Sequence, residues 1–172
     1  VRAFVRDQRS PRAVALRDAG AELAQGDLGN ACLIRAAMKD LHRVFSVQPS
    51  SGQGAIYGVS DEDEVRYGIG IGIGIGIGIG DIAVESGVRH LVYSSSNAVG
   101  DAATGMGHFD SKARIEAYVR MLPITTTVIR PAAFMEMLMM PGFGLDEGRF
   151  HFFMRPDRRM QFVAVEDIGR IA

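Results

Sequence analysis

Short apolar, β-branched runs alternate along this chain with segments in which apolar residues recur at helical spacing. Residues 1–5 (Val-Arg-Ala-Phe-Val) form the first run and pass into the polar turn Arg6-Asp7-Gln8-Arg9, the pattern of a strand. Ser10-Pro11 then opens a helix, because a serine hydroxyl can accept an unpaired amide and proline at the first position loses no helical bond. Val14, Leu16 and Ala19 are expected on its buried side, and Gly20 supplies a left-handed stop. Residues 21–25 read as a second strand ending at Gly26-Asp27-Leu28. Asn30 caps a helix on which Leu33, Ala37 and Leu41 recur, and residues 43–47 form a third strand. Pro49, Gly52, Gly54 and Gly58 mark residues 48–60 as a loop. A helix from Asp61 to Gly87, a strand at 88–93 running into Ser94-Ser95-Ser96, a helix over 108–121 and a strand at 125–129 complete the pattern.

Strands separated by helices cannot pair as hairpins, so the alternation predicts an α/β fold with a parallel, doubly wound sheet and helices on both faces. The 172 residues, 47% of them hydrophobic, suffice for one domain with a core that needs no disulfide or metal. No metal-ligand set is assigned.

Residues 68–80 interrupt the pattern with alternating glycine and isoleucine. Seven glycines inside a helix would each cost about 1 kcal/mol relative to alanine, although buried isoleucines offset part of this. The period of two suits a strand with one bare face. The tract departs from the Gly-x-Gly-x-x-Gly pattern, since the third glycine would fall on isoleucine, and it reads as an expanded repeat and not a phosphate loop.

Charge is nearly balanced, with 19 basic and 20 acidic side chains, so no overall field directs the chain to nucleic acid or an anionic membrane. The lone Cys32 cannot pair within the chain and fits a reducing compartment. With no leader-like opening and no apolar run of membrane-spanning length, the expected location is cytoplasmic.

Six blocks in order carry a resemblance: Val1-Arg-Ala-Phe-Val-Arg-Asp7, Gly26-Asp27-Leu28, Val44-Phe-Ser-Val-Gln48, Gly87-Val-Arg-His-Leu-Val-Tyr-Ser-Ser95, His108-Phe-Asp-Ser-Lys112 and Arg130-Pro-Ala-Ala-Phe-Met-Glu136. Together they resemble the NmrA-like family of the short-chain dehydrogenase superfamily, over most of the chain up to Glu136. Further on, the segment from Phe162 to Ile168 resembles the family where an aspartate, Asp167, starts a late helix. The resemblance implies a Rossmann-like domain that binds a dinucleotide. It also implies a chain truncated at its N-terminus, a partial fold lacking the family's first strand and its Thr-Gly-x-x-Gly-x-x-Gly loop, whose amides hold the pyrophosphate. That strand would lie at the sheet centre, between residues 1–5 and 43–47.

The resemblance assigns roles residue by residue. Arg6, at the end of the first strand, favours the 2′-phosphate of NADP, where an acid would favour NAD; the alternative is a solvated arginine. Asp27 and Leu28 fall near the adenine, although an aspartate there also suits a turn. Val47 and Gln48 end a strand on the ligand-binding edge, as do Tyr93, Ser94 and Ser95, where a plain strand end and a core tyrosine are the alternatives. Lys112 matches the lysine of the Tyr-x-x-x-Lys pair and is assigned to the nicotinamide ribose. His108 stands at the tyrosine position, one turn earlier, as a candidate proton donor or simply a helix-start histidine. Pro131 and Phe134 fall where relatives line the nicotinamide pocket, and the methionines at 135, 137, 139 and 140 read as packing or a partner surface.

The implied function is an NADP(H)-binding protein, with NADPH preferred to NAD. It acts either as a redox sensor with a protein partner or as a weak NADPH-dependent reductase of quinone-like or carbonyl substrates. Two alternatives stay open: a truncated derivative without cofactor function, and a relative of isoprenoid- or flavonoid-type reductases. No direct nucleic-acid contact and no membrane association are expected.

Overall fold

The computed structural model describes residues 1–48, 58, 60–69, 78–100, 102–140, 142–151, 154–155 and 157–172. The expected loop at 48–60, apart from residues 48, 58 and 60, and the middle of the glycine–isoleucine tract lie outside the described residues.

Local sequence signals act where expected. Strand β1 (Arg2–Val5) leads to helix α1 (Pro11–Asp18), capped by the Ser10 hydroxyl accepting the Ala13 amide at 3.3 Å. Gly20 takes φ +92°, a left-handed conformation that an L side chain resists, and turns the chain into β2 (Glu22–Gln25). The Asn30 carboxamide oxygen accepts the Cys32 and Leu33 amides at 3.1 and 3.2 Å and starts α2 (Ala31–Met38), which leads to β3 (Arg43–Ser46). Further along come α3 (Asp61–Ile69), α4 (Ile79–Glu85), β4 (His90–Ser94), α5 (Gly107–Val119) and β5 (Thr125–Ile129). The chain then adds β6 (Ala133–Phe134), the 3-10 turns Met135–Met139 and Leu145–Glu147, β7 (Phe162–Val163) and α6 (Val165–Ile171). Asp167 lies in the first turn of α6, the late helix anticipated there.

All strand pairs among the described residues are parallel, as the alternation requires. They form β1-β2, β3-β4-β5 and β6-β7. The first strand therefore does not share hydrogen bonds with β3, β4 or β5, a departure from one continuous sheet. Strands must approach within about 5 Å to pair, and the described residues hold no strand to fill the position between β1 and β3. The two parts meet through side chains instead: Phe4, Leu28 and Val44 pack on a cluster of Ile34, Met38, Ile79, Ile82, Ala83 and Val88. A second cluster sets Leu91 and Tyr93 of β4 against Val65 and Ile69 of α3 and Ile115 and Val119 of α5.

Burial departs from the periodicity in several places. On α1 it is Ala13 that is buried, while Leu16 is 44% exposed and Ala19 is exposed. On α2, Ile34 and Met38 are buried, Leu33 is 41% exposed and Leu41 lies past the helix end. Phe45 of β3 and Val47, just past its end, are both exposed. The methionines at 135, 137, 139 and 140 are all exposed, so they lie at the surface and not in core packing.

In place of a continuous helix from Asp61 to Gly87, the described residues form α3 and α4, and the ends of the tract (Gly68, Ile69, Ile79, Gly80) are helical and not strand-like. Close helix contact accounts for this at Gly68, where an added Cβ would sit 2.7–2.8 Å from three side-chain atoms of Ile115, itself 0% exposed. Gly68→Ala is expected to lower stability by about 1 kcal/mol net, the mid-range overpacking cost less the gain in helix propensity. Overpacking costs about 1–3 kcal/mol and exceeds the gain of about 1 kcal/mol in helix propensity. A urea midpoint unchanged or raised in Gly68→Ala would contradict this.

Candidate functional site

Parallel register sets the strand ends side by side. Ser46 pairs with Tyr93 and Tyr93 with Val128, so these residues share one face, and the period of two carries Gln48, Ser95 and Arg130 onto the same edge. Gln48 is 3% exposed and donates its amide to the Ser46 hydroxyl at 2.7 Å, and its carbonyl oxygen has no hydrogen-bond partner among the described residues. Tyr93 is 1% exposed and its hydroxyl is likewise unpartnered. Burial, reinforced by the Glu64 and Glu116 carboxylates, raises its pKa well above the usual tyrosine value, so Tyr93 stays a neutral donor. Ser94 and Ser95 are buried, and the Ser95 amide donates to the Ile129 carbonyl at 2.8 Å.

Helix α5 brings charge to this edge. The Lys112 side chain is 11% exposed, and its Nζ lies 2.7 Å from Oε1 of Glu64, which is fully buried. Ser111 donates its hydroxyl to Oε2 of the same carboxylate at 2.8 Å. One turn on, Glu116 accepts from Arg130 at 2.5 and 3.0 Å and from Arg120 at 3.0 and 3.2 Å. Burial opposes the charge of Glu116, but these guanidinium bonds outweigh it and hold the carboxyl below its usual range. The pair ties Arg130-Pro131, where the chain leaves β5, to α5.

His108 begins α5 one turn before Lys112 and is half-buried, with its ring packed on Phe109 at 4.1 Å. Asp110 holds the preceding loop by accepting the Thr104 amide and hydroxyl and the Gly105 amide, bonds that lower its pKa.

Arg6 and Asp27 follow the ends of β1 and β2 and meet at 3.9 Å, each with its side chain 63% exposed, a pair that contributes little to stability. Asp27 also accepts the Gly29 amide at 2.7 Å, the turn role open to it from sequence. Leu28 packs on the first core cluster and Val47 is 57% exposed. Pro131 is half-buried with its carbonyl accepting the Asn97 amide at 3.0 Å, and Phe134 is 38% exposed on β6. Of the residues assigned from sequence, the fold brings Gln48, Tyr93, Ser95 and Lys112 to one region and pairs Arg6 with Asp27.

The sequence reading missed Glu64, Ser111, Glu116 and Arg130 as site residues. Glu64 hides in Asp61-Glu62-Asp63-Glu64, which reads as the acidic start of a solvated helix. For Glu116, its spacing of four from Lys112 was the available signal.

The NmrA-like family model matches residues 1–172. An NmrA-like family domain-containing oxidoreductase, malD, of Malbranchea aurantiaca is 30% identical over 187 residues, covering 97% of this chain and 52% of the relative. Among solved structures, the negative transcriptional regulator NmrA in complex with NADP superposes with a TM-score of 0.68 at 24% identity, over 96% of this chain and 50% of that one. An NADPH-dependent quinone oxidoreductase of Escherichia coli, complexed with NADPH, gives a TM-score of 0.57 at 20% identity, over 78% of this chain and 40% of that one. These structures establish likeness of fold. The chain spans about half the length of the curated relative it matches.

Proposed function

This chain belongs to the NmrA-like family, and from that premise we propose that it binds NADP(H) along the strand-end edge and reports the nucleotide to a protein partner. The observation that carries the reading is the set of buried polar groups on that edge. Gln48 and Tyr93 each keep a polar atom there without a partner among the described residues, and Lys112 is anchored by Glu64, whose carboxylate also acts on Tyr93. Buried polar atoms without partners are costly, so a polar ligand that satisfies them binds with a gain. Arg6 faces the 2′-phosphate, Asp27 and Leu28 the adenine side, Lys112 the ribose, and Pro131 and Phe134 the nicotinamide. The bound dinucleotide would supply a hydride. The NADP complex of the regulator NmrA supports a sensing role by analogy of fold.

A second reading, a weak NADPH-dependent reductase of quinone-like or carbonyl substrates, is favoured by His108 four residues before Lys112 on one helix and by the oxidoreductase relative. NADPH oxidation that requires an added quinone supports it; binding without turnover supports the sensor.

Arg6 provides the test of cofactor choice. Calorimetry is expected to show NADPH bound in preference to NADH, and Arg6→Ala to weaken NADPH about tenfold while leaving NADH nearly unchanged, since the guanidinium recognises the extra phosphate. Equal loss for both ligands, or none for NADPH, would remove Arg6 from the site.

A further inference from the structure

Glu64 is fully buried, yet both of its oxygens are engaged by consecutive residues of α5, Ser111 and Lys112. Its backbone belongs to α3, and the Gly68–Ile115 contact four residues on sets how closely α3 and α5 approach. A buried ion pair is weak evidence of a gain in stability, because desolvation offsets the attraction and apolar replacements often do as well. What this arrangement does accomplish is to fix an ammonium group in place. Ser111 occupies Oε2 and restrains the carboxylate from rotating, so Oε1 presents a fixed acceptor. Lysine carries three N–H donors, of which Glu64 takes one, leaving two for another acceptor.

We propose that Glu64 is a positioning residue, holding the Lys112 ammonium in place for the hydroxyls of the nicotinamide-side ribose. The proposal rests on the reading of Lys112 as the ribose ligand. An unrestrained lysine loses rotamer freedom when it captures a ligand, whereas one already anchored has lost it on folding. Glu64 thereby acts on the dinucleotide only through Lys112 and only at its nicotinamide half.

The test compares NADPH with adenosine 2′,5′-bisphosphate, which carries the 2′-phosphate but no second ribose. Calorimetric titrations of the chain and of Glu64→Gln are expected to show NADPH weakened roughly tenfold and adenosine 2′,5′-bisphosphate unchanged. Glu64→Gln combined with Lys112→Met should cost no more NADPH affinity than Lys112→Met alone, because Glu64 acts only through Lys112. Glu64→Asp, which keeps the charge but retracts it by one methylene, should weaken NADPH alone and by less, and it serves if Glu64→Gln does not fold. A merely structural Glu64 would weaken both ligands together; that result, or an unchanged NADPH affinity, overturns the proposal. If neither ligand binds the unmodified chain, the dinucleotide reading itself fails and this inference with it.

Discussion

Joining a family-type strand and Gly-x-x-Gly-x-x-Gly turn ahead of Val1 is expected to raise NADPH affinity about a hundredfold over that of the 172-residue chain. The pyrophosphate carries the densest charge of the ligand, and such a turn offers it several backbone amides at the positive end of a helix. Hydrogen bonds to a charged group contribute about 1.5–3 kcal/mol each, so two well-made amide contacts reach the stated factor. Within these residues the corresponding contacts fall to Arg6, Lys112 and the strand ends, and the Arg6–Asp27 pair is open to water. The added strand would also give β1 and β3 a hydrogen-bonded neighbour, which neither has on that side among the described residues. Calorimetry at fixed ionic strength decides the matter. Equal affinities for the two forms would mean that the pyrophosphate is held by groups already present, and the assignment of the edge would need to be redrawn.

Lys112→Met should be the most damaging point change for stability at the site, costing about 3–5 kcal/mol, because it leaves Glu64 buried without its counter-ion. Natural domains are stable by about 5–15 kcal/mol in total, so the loss is a large fraction of the whole. Most of it should return in the double variant Glu64→Gln, Lys112→Met, in which neither buried group is charged. Urea unfolding of the three proteins provides the comparison. A single variant as stable as the parent would show that the pair is hydrated in solution, and a double variant no better than the single would show that the loss does not come from the unpaired Glu64 charge. The result also governs binding experiments, since loss of NADPH affinity in a Lys112 variant identifies a ribose contact only when folding is matched.

The elements were largely readable because their signals are local. Ser10-Pro11 and Asn30 supply caps, Gly20 and Gly87 take positive φ, and the strand at 125–129 coincides with β5. The order of strands and helices then requires parallel pairing. The candidate site was legible only where a residue type and its spacing announced it. Lys112 was assigned because His108-Phe-Asp-Ser-Lys112 resembles the family's Tyr-x-x-x-Lys pair, whereas its partner Glu64 lies 48 positions away in an acidic run that looks solvated. The centre of the glycine–isoleucine tract falls outside the described residues, and its two ends are helical because Gly68 and Gly80 admit close neighbours, Ile115 and Leu122, that a strand reading does not foresee.

By itself, then, the sequence determined the succession of elements, their caps, the parallel α/β arrangement and the membership of the family, all of which depend on neighbours along the chain. Tertiary structure alone decided which side chains are enclosed. Leu16, Leu33 and Phe45 have the character of core residues and remain exposed, while Glu64 and Glu116 are charged and buried. Burial is a property of the surface that another element presents, and periodicity names the face of a helix without naming what will cover it. Where α3 and α5 approach through Gly68 and Ile115, two acidic side chains on those helices are enclosed with Lys112, Arg120 and Arg130 as partners.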